Sequence, residues 1–587
     1  MWKGTSMLLL TGAIFGCTSN AHLATTSDDA WTSDYMEQRR WREPSELKGN
    51  YLKLASDTML PAQSAHVKVI GTESESAIKS LASKIYLIEN AQHTIDITYY
   101  IFADDLAGQA TLGALCRAVK RGVDVRVMVD SLGSYSVNNG NLKGLMQCEQ
   151  EAGYVLDRQG AATSQKARVQ AVVFNALTNS DSKWNHRSHD KLFVVDAAYN
   201  EQAYVITGGR NMSLHYYGID NKGRVDPTAF RDIEIVVRPT SHAKEEESPS
   251  RLSELYFSVL FTKPGNKKLD IWTSYNRDKQ RLLSALTELK ALPEFARAYE
   301  GIDGYLTQDY YLSETKLAHE LDNLNAVDVV TQYSKNKRAN ANSISGILAK
   351  VAYSKQDVKT IKIVSPYLFL QTDLFKDEGI IEKDLNVTMK WLEQDPERRI
   401  EVITNSVLTS DNYFTQAVID MNTAPNILMM DKETQQRWLD DELTNNEENK
   451  SFIASDAWKK MTLHPQVKFY QLGKQDSVLI GGDKYYGKLH AKFLIIDQNA
   501  FVGTTNLDFR SLLYNNEVGF FLGGAPLIDE LETQFSLLKQ DSLLWGSDEW
   551  LEMRRKLRDA GGTKGRTSSR QRGIFEALEE TGLKYQF

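Results

Sequence analysis

Leu489-His490-Ala491-Lys492-Phe493-Leu494-Ile495-Ile496-Asp497 is the stretch from which the rest of the chain is read. Phe493 to Ile496 is an unbroken apolar run closed by an Asp-Gln-Asn turn, the pattern of a short buried strand. His490 and Lys492 stand two apart just ahead of it, a spacing that puts both side chains on one face of an extended segment. A titratable base and a fixed cation then point together from the lip of a core strand, a suitable arrangement for meeting an anionic phosphate.

The pattern occurs twice. His189-Asp190-Lys191-Leu192-Phe193-Val194-Val195-Asp196 has the same spacing and the same apolar run. Each copy leads into a second short strand and a glycine turn ending in Asn. These read Val205-Ile206-Thr207-Gly208-Gly209-Arg210-Asn211 and Phe501-Val502-Gly503-Thr504-Thr505-Asn506. Two hairpins with incidental histidines would not explain a repeat that extends beyond the motif.

The repeat does extend. In the first half the spacing predicts a helix over 74–91 and a strand over 94–102. A helix over 108–121 follows, then strands over 123–130, 168–175 and 230–237. The second half replays the strands at 360–370, 399–406, 467–472 and 516–522, in the same order around its own hairpin. Alternating helices and strands predict an α/β fold with a sheet covered by helices, here built by internal duplication. Residues 66–250 and 346–545 are the two similar domains. Residues 251–345 read as a helical connector, and residues 17–65, polar and rich in Ser, Thr and Asp, as a tether with a peripheral helix. A polar insert at 432–455 occurs only in the second copy. Residues 546–587 form a basic C-terminal tail, with eight Lys or Arg against one acid between Arg554 and Arg572. It reads as a solvated tail, with contact to anionic headgroups as the alternative.

The 587 residues are 42% hydrophobic and 25% charged, which describes a globular chain large enough for more than one domain. A net charge of −8 argues against unspecific nucleic-acid binding, but not against an anionic substrate in a local cationic pocket. Lys3 and the short apolar run Met7–Phe15 form a targeting segment too short to span a membrane. Its end, Ile14-Phe15-Gly16-Cys17, resembles a bacterial lipobox. On that reading residues 1–16 are removed and an acylated Cys17 anchors the protein to a membrane. Thr18 and Ser19 after the cysteine favour the inner leaflet of the outer membrane, facing the periplasm. Cys116 and Cys148 remain, and the sequence leaves open whether they pair. No CxxC or HExxH cluster occurs, so chemistry without a metal or cofactor is expected.

Two His/Lys pairs facing one phosphodiester supply what phosphoryl transfer needs. One imidazole attacks phosphorus and the other protonates the leaving oxygen, then deprotonates the incoming alcohol or water. Lys191 and Lys492, with Asn211 and Asn506, are expected to hold the non-bridging oxygens. Asp232 and Glu517, at matching points of the next strand, are the candidates for orienting the histidines.

These residues resemble the phospholipase D superfamily, whose signature H-x-K-x4-D followed by G-x-x-N is present in both copies. Within it the chain looks most like bacterial class C cardiolipin synthases, through Tyr99-Tyr100-Ile101, Asp104-Asp105, Phe230-Arg231-Asp232 and Leu507-Asp508-Phe509-Arg510-Ser511. The resemblance implies two phospholipase D-like α/β domains related by pseudo-twofold symmetry, with the active site at their interface and no metal. It implies transfer of a phosphatidyl group through phosphohistidine, with His189 as nucleophile, His490 as general acid/base, and Asp196 and Asp497 as structural anchors. Phosphatidylglycerol and phosphatidylethanolamine are the expected phospholipid substrates. A hydrolase releasing phosphatidic acid, or an exported endonuclease, are the competing activities. The first hairpin departs from the second, with eleven residues between Asp196 and Gly208 against five between Asp497 and Gly503.

Overall fold

A computed structural model of the chain describes residues 27–47, 49–134, 140–178, 183–325, 332–354, 358–370, 388–440 and 451–587. Cys17, and residues 441–450 of the insert, lie outside the described residues.

The first half contributes β1 (Gln63–Ile70), β2 (Thr94–Tyr99), β3 (Asp124–Asp130), the small pair β4 (Tyr154–Leu156) and β5 (Ala162–Lys166), and β6 (Val169–Phe174). It continues with β7 (Lys191–Val195), β8 (Tyr204–Gly208), β9 (Glu234–Pro239) and β10 (Lys267–Lys268). The second half contributes β11 (Tyr311–His319), β12 (Thr360–Val364), β13 (Arg399–Asn405), β14 (Val467–Leu472), β15 (Phe493–Ile496), β16 (Asn499–Gly503), β17 (Val518–Gly523) and β18 (Ser542–Leu544). Among the described residues all but β4 and β5 join one mixed sheet, in the order β10-β6-β3-β2-β7-β8-β9-β1-β11-β17-β16-β15-β12-β13-β14-β18. The order is a palindrome about β1 and β11, which pair antiparallel with Ala65 opposite Ser313. Duplication at the sequence level therefore becomes a pseudo-twofold axis in the middle of a shared sheet.

Three expectations need correction. The connector at 251–345 is not only helical: β11 is the second half's counterpart of β1, so that half begins near Tyr311 and not at residue 346. The segment 17–65 is more than a tether. Its helix Ser27–Gln38 leads to Arg39, which is 2% exposed and bonded to Asp96 and Asp124 and to Glu254 of helix Pro249–Phe261. Burying one guanidinium among three carboxylates is tolerable only because each charge is matched. The tail at 546–587 is not solvated. It forms helices Asp548–Ala560, Gly562–Ser568 and Gln571–Thr581 that bury Trp550, Leu557, Phe575 and Leu578 against the second half. One of the eight basic residues between Arg554 and Arg572, Arg554 itself, is fully buried and donates to Asp420 at 2.9 Å. Trp438, within the polar insert, packs with Trp458, Trp545 and Trp550.

Local rules explain the elements that carry the hairpins. Helix Leu106–Arg121 starts where the Asp105 side chain accepts from Gly108 N–H and stops at Gly122, whose φ of 106° suits glycine. Cys116 on that helix is disulfide-bonded to Cys148. Asp196 and Asp497 end β7 and β15 at φ 48°, a left-handed turn that Asp tolerates. Their carboxylates accept from the backbone N–H groups that open the neighbouring strand: Gln92, His93 and Thr94 for Asp196, and Lys359 and Thr360 for Asp497. Each thus clamps the turn of its hairpin to the start of β2 or β12. Among the described residues no helix is long and apolar enough to cross a membrane.

Candidate active site

The two histidine segments meet across the pseudo-twofold axis. Ser188 forms a parallel bridge with Asn516, and Leu489 forms one with Arg231. His189 N–H donates to Asn516 O at 3.0 Å, and His490 N–H donates to Arg231 O at 2.8 Å. Each histidine is therefore zipped by backbone to the residue that precedes a carboxylate of the other half. The side chains follow. His189 Nδ1 lies 2.9 Å from Glu517 Oε1, and His490 Nδ1 lies 2.7 Å from Asp232 Oδ2. With Nδ1 occupied in both rings, Nε2 is the nitrogen left for chemistry.

Lys191 Nζ donates to His189 O at 2.7 Å, and Lys492 Nζ reaches His490 O. Lys492 Nζ also lies 2.9 Å from His490 Nδ1. We give that nitrogen to Asp232, because an imidazole N–H bonds a carboxylate better than it faces a cation. Both histidines and both lysines are at most 7% exposed. Burial, then the Lys191 and Lys492 charges, hold His189 well below the ordinary imidazole value. Burial and Lys492 lower His490 to about 4 against the opposing pull of Asp232. Burial brings Lys191 to about 7 and Lys492 to about 8. The carboxylates diverge. Burial pushes Glu517 up, whereas for Asp232 it is outweighed by His490, Lys492 and Arg210, which hold the carboxyl below its usual range. Burial thus disfavours the charged form of all four side chains, and a bound phosphate would favour it again.

Supporting groups fix this geometry. Arg210 Nη2 donates to Asp232 O at 2.7 Å, and Thr504 Oγ1 donates to Glu517 Oε2 at 2.6 Å. Gly209 has no alternative, since a Cβ there would overlap the Asp232 carboxylate. Tyr100 packs edge-on to His189 at 5.0 Å, while Tyr216 and Phe230 wall His490 at 5.1 and 5.2 Å. Asn211 has both ends of its amide engaged, accepting from Ile101 N–H and donating to Tyr216 OH, both at 3.0 Å. The second N–H of its amide nitrogen remains for a phosphate oxygen. Asn506 donates to Asp508 at 3.2 Å, and its Oδ1 is buried with no hydrogen-bond partner among the described residues.

Sequence reasoning missed the group behind His189. Tyr256, on a helix assigned to the connector, donates to Asp190 Oδ1 at 2.9 Å, and Asn516 Nδ2 donates to Asp190 Oδ2 at 2.6 Å. The available signal was Asp190 itself, a carboxylate inside the first motif where the second has Ala491. Nothing in the sequence pointed to Tyr256.

Comparison with known proteins shows what the chain is similar to. A family profile described as "Cardiolipin synthase, PLD-like domain" matches residues 85–219 and 358–539, together more than half of the chain. Cardiolipin synthase C of Escherichia coli (strain K12) is 24% identical over 536 residues, covering 86% of this chain and 93% of that protein. A cardiolipin synthase of Oceanobacillus iheyensis is 28% identical over 172 residues, 29% of this chain and 30% of that protein. Among solved structures, phosphatidylserine synthase of Haemophilus influenzae Rd KW20 aligns over 91% of this chain and 98% of its own, with a TM-score of 0.49 and 13% identity.

Proposed function

The chain belongs to the cardiolipin synthase family with phospholipase D-like domains, and from that premise we propose a metal-independent phosphatidyltransferase that works through a phosphohistidine on His189. The observation that carries the reading is the crossed pairing of His189 with Glu517 and His490 with Asp232. It leaves two Nε2 atoms free, one on each half, beside two buried lysines.

In the first step His189 Nε2 attacks the phosphorus of a phospholipid. The bond to the headgroup oxygen breaks, and His490, present as the imidazolium once the anionic phosphate and Asp232 stabilise it, delivers its Nε2 proton to that oxygen. In the second step His490 takes the proton of an acceptor hydroxyl, whose oxygen displaces His189 from phosphorus. The assignment of roles follows the family resemblance. It is consistent with Asp232, whose carboxyl is held below its usual range by His490 and Lys492 and so has the charge to stabilise an imidazolium on His490. Lys191 and Lys492 supply the positive charge for the equatorial oxygens. Asn211 and Asn506 are proposed to join them once substrate competes for their amides, and Asp196 and Asp497 to anchor the hairpins.

Phosphatidylglycerol and phosphatidylethanolamine are the proposed substrates. Acylation of Cys17 would hold the site beside its bilayer in the bacterial envelope, on the periplasmic side. Vesicles carrying both lipids, labelled and assayed with EDTA, test the reading. Cardiolipin formed by wild type and lost in His189→Ala and His490→Ala is the expected result. Phosphatidic acid as the product would assign a hydrolase, oligonucleotide cleavage with inert lipids a nuclease, and activity surviving both substitutions would remove the mechanism.

A further inference from the structure

Resting on that reading only for its substrate class, we propose that the apolar rim formed by Trp184, Phe414 and Leu583 is a bilayer-docking surface that turns the mouth of the active site onto the lipid. These are large apolar side chains left 68, 45 and 51% exposed. They come from three distant parts of the sequence, yet the fold gathers them. Asn185, next to Trp184, donates to Gln586 Oε1 at 2.7 Å, three residues from Leu583. Phe414 stacks on Phe587 at 5.0 Å. Phe414 and Leu583 face a groove of about 500 Å³ whose other walls include Ile574, Ala577 and Leu578, with Arg570 at its edge. Exposed apolar surface gathered around a groove marks an interaction site, and aromatic side chains favour the boundary between water and hydrocarbon.

The rim lies beside the His189 segment. Asn185 is four residues ahead of His189 in the chain. Phe587 O accepts from Arg510 N–H at 2.9 Å, and the Arg510 charge is among those acting on His189. This position chooses the occupant. A second copy of the chain seated on the rim would hold this side of the His189 segment away from the lipid that carries the phosphodiester. A bilayer brings that phosphodiester with its acyl chains already at the groove. With a net charge of −8, the molecule as a whole is not drawn to anionic lipid, so insertion of apolar side chains must supply the attraction.

The test uses the full chain and phosphatidylcholine vesicles, with and without bromine on the acyl chains, and takes Trp184 emission as the difference between wild type and Trp184→Phe. Bromine is expected to quench that difference signal, and Phe414→Ser combined with Leu583→Ser to cut the quenching at least fivefold. Equal Trp184 emission in both vesicles would overturn the proposal. So would light scattering that shows a lipid-free dimer in which Trp184 is shielded, or shielding of Trp184 that disappears when residues 1–26 are removed. Turnover of phosphatidylglycerol vesicles, measured in parallel, scores the enzyme reading by itself. Quenching without turnover removes the enzyme reading, and turnover without quenching removes the docking surface.

Discussion

His189 and Glu517 are 328 residues apart in the chain, and the fold places the imidazole Nδ1 2.9 Å from the carboxyl. His490 and Asp232 repeat the relationship in mirror order, at 2.7 Å across 258 residues. Neither half supplies both members of either of these two pairs. Chemistry at this site therefore depends on both halves at once.

Removing an orienting carboxylate should act through the histidine of the opposite half. Asp232→Asn and Glu517→Gln are each expected to lower kcat at least about 100-fold, the scale of a general acid–base contribution, with KM changed little. Steady-state kinetics on vesicles checks this. A variant that raised KM alone would show that the carboxylate acts on binding.

The covalent step separates the two histidines. With a substrate whose leaving group needs no proton, His490→Asn should accumulate acid-labile phosphorus label on the protein. His189→Asn should accumulate none. Label recovered on the His189 variant would reverse the assigned roles.

Alkaline pH should discharge the two lysines. Burial lowers Lys191 to about 7 and Lys492 to about 8, so raising the pH through this window removes positive charge from the site of the free enzyme. Because kcat/KM reports the free enzyme, it is expected to fall as pH rises above about 8. Lys191→Arg, which keeps its charge, should move the fall upward. A profile flat to pH 10 in wild type would contradict this.

Tyr256→Phe removes a donor from the buried Asp190 carboxylate and leaves the fold intact. A loss of about 1–3 kcal/mol in stability is expected from an unmet buried acceptor. If Tyr256 also positions the His189 segment, kcat should drop several-fold with KM unchanged. Calorimetry and kinetics together separate the two effects.

Arg39→Met tests whether the segment before β1 belongs to the folded core. It removes the cation shared by Asp96, Asp124 and Glu254, which keep Arg126, Arg168 and Arg251, at a cost of about 1.5–3 kcal/mol for the charged hydrogen bonds lost. Thermal unfolding should show a fall in Tm. An unchanged Tm would return this segment to the role of a tether.

The sequence on its own carried everything that depends on local pattern. The H-x-K spacing with its apolar run, the glycine turns and the order of strands are all written within windows of about ten residues, and they recur. Period-two burial and turn chemistry act over that range, so the hairpins and the duplication were legible, as were the titratable groups. What only the tertiary structure decided is which partners meet. Strand β11 was hidden because its first inward positions are the polar Ser313 and Thr315 while Leu312 faces out, so its buried alternation is not an apolar one. The tail looked solvated because charge count does not reveal that Arg554 has Asp420 waiting in the core. Asp232 and Glu517 were legible as candidates, but their exchange between halves was not. That exchange follows from the antiparallel pairing of β1 with β11 at the pseudo-twofold axis, a contact between strands more than two hundred residues apart that no local pattern encodes.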